Sequence, residues 1–170
     1  MTKPIIRAMI AVVITLAALT PAHAQLEFLN EKNQVIGRIS PDGKVTDANG
    51  VALGNITPDG KVIDPQGRAL GAINADGSIT GEKNQTISKT TMGKVVGEKN
   101  QSLFQISTDG KVIAADNKVV ATVRGDAKTI KTSLGKTILP NDEIKNLWAS
   151  AFFIFFDKTN MAKTIKPTEP

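Results

Sequence analysis

One short unit recurs along this chain, and its period limits the possible folds more than any other feature. Pro41-Asp42-Gly43-Lys44-Val45 returns 17 positions later as Pro58-Asp59-Gly60-Lys61-Val62. It recurs as Ala75-Asp76-Gly77-Ser78-Ile79, Met92-Gly93-Lys94-Val95 and Thr108-Asp109-Gly110-Lys111-Val112, with one residue missing between Thr90 and Gly93. A unit this short cannot bury a hydrophobic face alone, so its copies must stack or close on one another.

Three apolar columns run through the copies. The first is Val45, Val62, Ile79, Val95 and Val112; the second is Ile36, Leu53, Leu70, Ile87, Leu103 and Val120. The third is Ile39, Ile56, Ile73, Thr90, Ile106 and Val123. A small-residue column, Gly37, Gly54 and Gly71, gives way to Ser88, Phe104 and Ala121 in the later copies. Glycine directly after an inward Leu or Ile predicts a bulge or a close backbone approach.

Two turn signals punctuate each period. Asp-Gly stands at 42–43, 59–60, 76–77 and 109–110. Between these come Asn49-Gly50, Gln66-Gly67, Asn84-Gln85, Asn100-Gln101 and Asn117-Lys118. Turn residues that tolerate positive φ, separated by short runs rich in Val, Ile and Thr, predict hairpins. The expected fold is therefore all-β, a pseudo-symmetric array of short β-hairpin repeats of about 17 residues. A β-helix with a coil of that length is the alternative.

At the amino end, Lys3 and Arg7 precede an apolar run, Met9 to Leu19, and then Ala22-His23-Ala24. This is the pattern of a secretory signal peptide over 1–24 with cleavage after Ala24, which places the mature chain in the periplasm or outside the cell. The sole His, His23, leaves with that segment, and the chain has no Cys and no Tyr. Ser-His-Asp and Cys-His catalysis are thereby excluded from the mature chain, and so are thiolate and imidazole metal sites. The whole chain carries 21 Lys and Arg against 16 Asp and Glu; losing Lys3 and Arg7 lowers the formal excess from +5 to about +3. So weak a surplus gives nucleic-acid binding little support.

The repeat D-G-K-V-x-D-x-x-G-x-x-L/I-G-x-I, best preserved over 42–73, resembles the unit of the five-fold β-flower proteins exported by bacteria. The aromatic run Phe152-Phe153-Ile154-Phe155-Phe156 after the last repeat belongs to the same likeness, which covers roughly residues 25–156. The resemblance implies short β petals about a pseudo-symmetry axis and implies no activity. Five units starting at the turn are clear, yet Leu26–Ser40 reads as a further half or whole unit and Lys128–Leu139 as a weak one. Either the ring has more than five petals, or the flanking segments complete or cover it.

After the repeats, Asn141-Asp142-Glu143 suits a helix start, and Ile144, Leu147, Trp148 and Ala151 fall on one face of that helix. Phe152 to Phe156 is too short to cross a bilayer, and exposed it would promote aggregation. It is expected to fold back and fill or cover the centre of the array, with contact to a partner or a membrane surface as the alternative. The repeat domain accordingly spans 25–156, and the polar residues 157–170 read as a disordered tail.

Few residues invite chemistry. Asp47-Ala48-Asn49-Gly50 resembles a fragment of a calcium loop but lacks the later ligands, and the same residues are what a hairpin turn requires. Lys44, Lys61, Lys94, Lys111 and Lys128 form a basic column beside Asp42, Asp59, Asp109 and Asp126, as expected of solvated charges that discourage edge pairing. Carboxylate pairs for glycoside hydrolysis would have to come from turn residues, without a Tyr or Trp platform beside them. No catalytic, cofactor or metal residue is assigned, and no enzyme is expected. The expected function is that of an exported, non-catalytic β-repeat protein of the cell envelope, structural or binding. A glycan- or anionic-polymer-binding module is the alternative, with envelope polysaccharide or protein as the candidate partner.

Overall fold

The computed structural model describes residues 25–125 and 141–157. Residues 1–24, read as a signal peptide from the sequence, the weak unit Lys128–Leu139 with Asp126 and Lys128, and the residues beyond Asp157 lie outside the described residues. Within them the chain forms β1 (Leu26–Asn30), β2 (Val35–Ile39), β3 (Lys44–Asp47), β4 (Ala52–Ile56), β5 (Lys61–Ile63) and β6 (Ala69–Ile73). It continues through β7 (Ser78–Gly81), β8 (Thr86–Thr91), β9 (Lys94–Gly97), β10 (Ser102–Ile106), β11 (Lys111–Ala114) and β12 (Val119–Arg124). A helix, α1 (Asn141–Ala151), and a π-helical turn, Phe152–Phe156, follow.

Each strand pairs antiparallel with the next, and β12 pairs with β1, so the twelve strands form a closed barrel. All-β hairpin repeats are thus present, but neither as separate petals nor as a β-helix. The physical reason lies in the second turn set. Apart from a two-residue turn between β8 and β9, both sets make equally tight three-residue loops that reverse the chain, so every hairpin bonds to its neighbours on both sides. Parallel stacking, which a β-helix needs, never arises. Leu26–Ser40 supplies β1 and β2, and closure removes the free edges that a fan of hairpins would leave.

The two turn sets share one geometry. At one end of the barrel the Gly43 N–H donates to the Ser40 carbonyl at 2.9 Å, and Gly60, Gly77 and Gly110 do likewise to Thr57, Asn74 and Ser107. At the other end Asn33, Gly50, Gly67, Asn84, Asn100 and Asn117 close the equivalent loops. Positive φ falls on that closing residue alone, for example +88° at Gly43 and +58° at Asn84. Gly43 is doubly required. A Cβ there would strike the Ile56 carbonyl oxygen, and the Ile56 N–H donates to the Gly43 carbonyl at 2.8 Å, joining one hairpin to the next.

A bulge recurs in every unit. Val45 faces Gly54 and Thr46 faces Ala52, which leaves Leu53 as the extra residue. Ile36, Leu70, Ile87, Leu103 and Val120 are skipped in the same way, so the whole second column consists of bulge residues. The bulge turns two consecutive residues inward, here Leu53 and Gly54, and this reconciles an odd period with strand alternation. Except for Leu103, these residues are only partly buried, because they line the barrel mouth. The first and third columns are buried completely or nearly so.

Cross-strand pairs Phe28–Gly37, Val45–Gly54, Val62–Gly71, Ile79–Ser88, Val95–Phe104 and Val112–Ala121 form one continuous layer round the wall. Inside it lies the carboxy-terminal segment. Leu147, Trp148, Ala151, Phe152, Phe153 and Phe156 are buried, whereas Ile144, Ile154 and Phe155, expected on the same face or in the same run, are only half-buried against them. The Asp157 N–H donates to the Phe152 carbonyl at 3.0 Å, the long bond of a π turn, and Asp157 itself is buried. Its wider turn spreads the phenyl rings round the lumen.

Candidate functional site

A twelve-stranded wall would enclose an open lumen if its side chains were small. Here the chain fills the lumen itself. The Phe152 ring stacks on Phe28 with centroids 3.8 Å apart and planes 4° from parallel. Phe153 meets Phe28, Phe104 and Phe152 edge-on at 5.5, 5.8 and 5.4 Å. Three glycines in succession accept the other contacts. A Cβ on Gly37 would strike the Phe152 ring, one on Gly54 would lie 2.6 Å from Phe156, and one on Gly71 2.6 Å from Phe155. On the opposite wall the third column turns polar once, at Thr90. Its hydroxyl donates to Ser150 at 3.1 Å, and the Ser150 hydroxyl donates to the Asn146 carbonyl at 2.7 Å. The lumen is therefore occupied by aromatic packing and one buried hydroxyl pair.

The accessible chemistry lies where α1 meets the Asp-Gly rim. Two open grooves flank the shortened turn between β8 and β9. One, of about 140 Å³, is lined by Asp76, Thr90, Thr91, Met92, Glu143 and Asn146 among others. Its neighbour, of about 280 Å³, is lined by Met92, Ile106, Ser107, Asp142, Glu143 and Lys145 among others. Met92 borders both. The residue missing between Thr90 and Gly93 leaves this turn with only two residues, Met92 and Gly93, at φ +48° and +77°. Both angles are positive, the pattern of the tightest hairpins. Met92 is 83% exposed.

The rim carboxylates are engaged in their own loops. Asp42 accepts the Ser40 hydroxyl, which holds its carboxyl below the usual range. The Thr57 hydroxyl at 2.5 Å and Lys61 at 3.2 Å do the same for Asp59. The hydroxyl and N–H of Ser78 lower Asp76. Asp109 is held at about 2 by the Lys111 ammonium, 2.7 Å away, and by the Ser107 hydroxyl. A general acid at neutral pH needs the opposite shift. Among the described residues Lys94 has no ion pair, and Met92 stands where the other D-G-K turns carry Asp.

The calcium-like fragment is a turn capped from within. Asp47 Oδ1 accepts the N–H groups of Asn49 and Val51 at 2.8 and 2.9 Å. Asp64 repeats this with Gln66 and Arg68, and adds an ion pair to the Arg68 guanidinium at 2.6 Å. The Lys column is spread round the rim rather than gathered: Lys44, Lys61, Lys94 and Lys111 are all exposed. Among the described residues, no group of three or more His, Cys, Asp or Glu side chains is arranged to hold a metal ion. Met92, Asn146 and the Thr90–Ser150 pair escaped the sequence reading. The missing residue before Gly93 was the one available sign of the first, and Thr90 in an Ile column was the sign of the last. Comparison with protein-family models, curated proteins and solved structures returns no match.

Proposed function

We propose that this chain is an exported, non-catalytic β-repeat protein of the bacterial cell envelope, acting by structure or by binding. The observation that carries this reading is the filled lumen: Phe152, Phe153 and Phe156 occupy the space in which a barrel of this size would hold a ligand. The lowered rim carboxylates support it, since they are ionised acceptors committed to their own loops. The leader-like residues 1–24 and the likeness of the repeat to β-flower units support the compartment. Strands of three to six residues are shorter than the roughly 9–11 that cross a bilayer in a barrel. Among the described residues no helix is long and apolar enough to cross a membrane.

The two rim grooves favour a second reading, a glycan-binding module. Their hydroxyls, carboxylates and the Asn146 carboxamide suit sugar hydroxyls, whereas Asp76, Asp142 and Glu143 against Lys145 do not suit a polyanion. Expression with the leader in a bacterial host, followed by fractionation and mass spectrometry, tests the main reading. A chain beginning at Gln25 in the periplasm or medium is expected, and a cytoplasmic chain retaining Met1 would overturn export. Incubating the exported chain with envelope glycans tests the rest. Cleavage products would refute the non-catalytic assignment, and saturable binding abolished by Asn146→Ala would select the second reading.

A further inference from the structure

We propose that Met92 is an oxidation site, one whose sulfoxide the fold accepts without unfolding. The chain has no cysteine, so thioethers are its readily oxidised sulfur groups. Among the described residues Met92 is the one methionine, and it is 83% exposed on a two-residue turn between two open grooves. Trp148, the other oxidisable side chain there, is fully buried. Among the described residues, oxidants are thus directed to one sulfur.

The chemistry balances with hydrogen peroxide as the two-electron oxidant. A sulfur lone pair attacks one peroxide oxygen, an S–O bond forms as the O–O bond breaks, and the proton of the transferred hydroxyl passes to the departing hydroxide. Sulfur loses two electrons, and water leaves.

The position explains why the product is tolerated. In two of the other copies an acidic residue stands before the rim glycine and its carboxylate pairs with the lysine two residues on, at 3.2 Å for Asp59–Lys61 and 2.7 Å for Asp109–Lys111. At Met92-Gly93-Lys94 that acceptor is absent, and among the described residues Lys94 has no ion pair. The sulfoxide oxygen is an acceptor on the same side of the same glycine. Gly93 keeps the conformation and the bond of its counterparts, with the Ile106 N–H donating to its carbonyl at 2.7 Å. Oxidation therefore moves this turn toward the polarity of its neighbours, where oxidation of a core methionine would open the core.

The test is limited treatment of the mature chain with hydrogen peroxide, with free methionine in the same tube as the reference and peptide mapping as the readout. The Met92 peptide is expected to gain one oxygen at a rate within about three-fold of free methionine, as befits an uncovered thioether. The treated protein should keep its cooperative melt, with a midpoint unchanged from untreated protein, and Met92→Leu should abolish uptake at that peptide. A Met92 peptide that stays reduced while free methionine is consumed would overturn the proposal. So would loss of the cooperative melt in step with oxidation at Met92 but not in the Met92→Leu protein.

Discussion

The barrel wall has two halves that began from the same repeat and do different work. From β2 to β6 the small-residue column is Gly37, Gly54 and Gly71, and three phenyl rings of the carboxy-terminal turn lie where Cβ atoms would be. From β8 to β12 the same column holds Ser88, Phe104 and Ala121, and the wall reaches inward instead. Phe104 meets Phe153 edge-on there, and the Thr90 hydroxyl donates to Ser150. A strictly periodic wall would present the plug with equivalent orientations. Glycine slots on one side and a ring with a hydroxyl key on the other leave a single one. Degeneracy in the later repeats is thus complementarity to the plug, and loss of repeat symmetry is the means by which an array of hairpins acquires one unique core.

The largest expected effect comes from removing the plug altogether. A chain ending at residue 140 loses Trp148, Phe152, Phe153 and Phe156, each worth roughly 1.5–3 kcal/mol of burial. Their sum is comparable with the whole stability of a small domain, about 5–15 kcal/mol. Such a chain should aggregate or lose its cooperative melt. A soluble, monomeric and cooperatively melting barrel without residues 141–157 would mean that neither half of the wall depends on the plug.

A smaller effect separates the halves directly. Gly37→Ala places a methyl group against the Phe152 ring and should cost about 1–3 kcal/mol. Ala121→Gly, at the corresponding place on the other half, should cost about 1 kcal/mol. Combining Gly37→Ala with Phe152→Leu should restore part of the loss, giving a coupling of about 1 kcal/mol in a double-mutant cycle read from urea midpoints. Purely additive costs would break the comparison, because the glycine would then be needed for the backbone alone.

The smallest effect concerns the charged rim, where the halves should look alike. Asp59 lies in the glycine half and Asp109 in the other, yet both carboxyls are lowered by a hydroxyl and a lysine. A carboxyl whose folded pKa is depressed contributes stability above its unfolded value of 3.8, and that contribution is lost as pH falls towards about 2, the value for Asp109. Side-chain NMR should show Asp109 titrating near 2, and Lys111→Ala should move it up towards the ordinary range. Since Asp109 is exposed, the melting temperature at neutral pH should hardly change in that variant. An Asp109 that titrates normally in the intact protein would remove the rim argument against a general acid.

Much of this architecture was legible because its causes are local. A glycine or asparagine that tolerates positive φ sets each loop, as at Gly43 and Asn84, and alternation then assigns Val45 and Ile56 to the inside. The bulge at Leu53 followed from glycine behind an inward residue, although the column's partial exposure did not, since it depends on lying near a mouth. The turn role of Asp47 was likewise readable, since its partners are two and four residues away. Met92 was not, because a missing residue signals altered geometry without saying which helix will lie beside it.

Hairpins, their order, the inward columns and the helical face of Leu147, Trp148 and Ala151 were determined by the sequence alone, through turn chemistry and periodicity within a few residues. Closure into twelve strands, rather than five petals or a coil, was decided only in three dimensions. It depends on twist and stagger accumulated over every pair, and on the final contact of β12 with β1, nearly a hundred residues apart in the chain. The place of the aromatic run was decided there too. A phenyl ring adopts the position where the wall leaves room, and that room exists only once Gly37, Gly54 and Gly71 have been brought side by side.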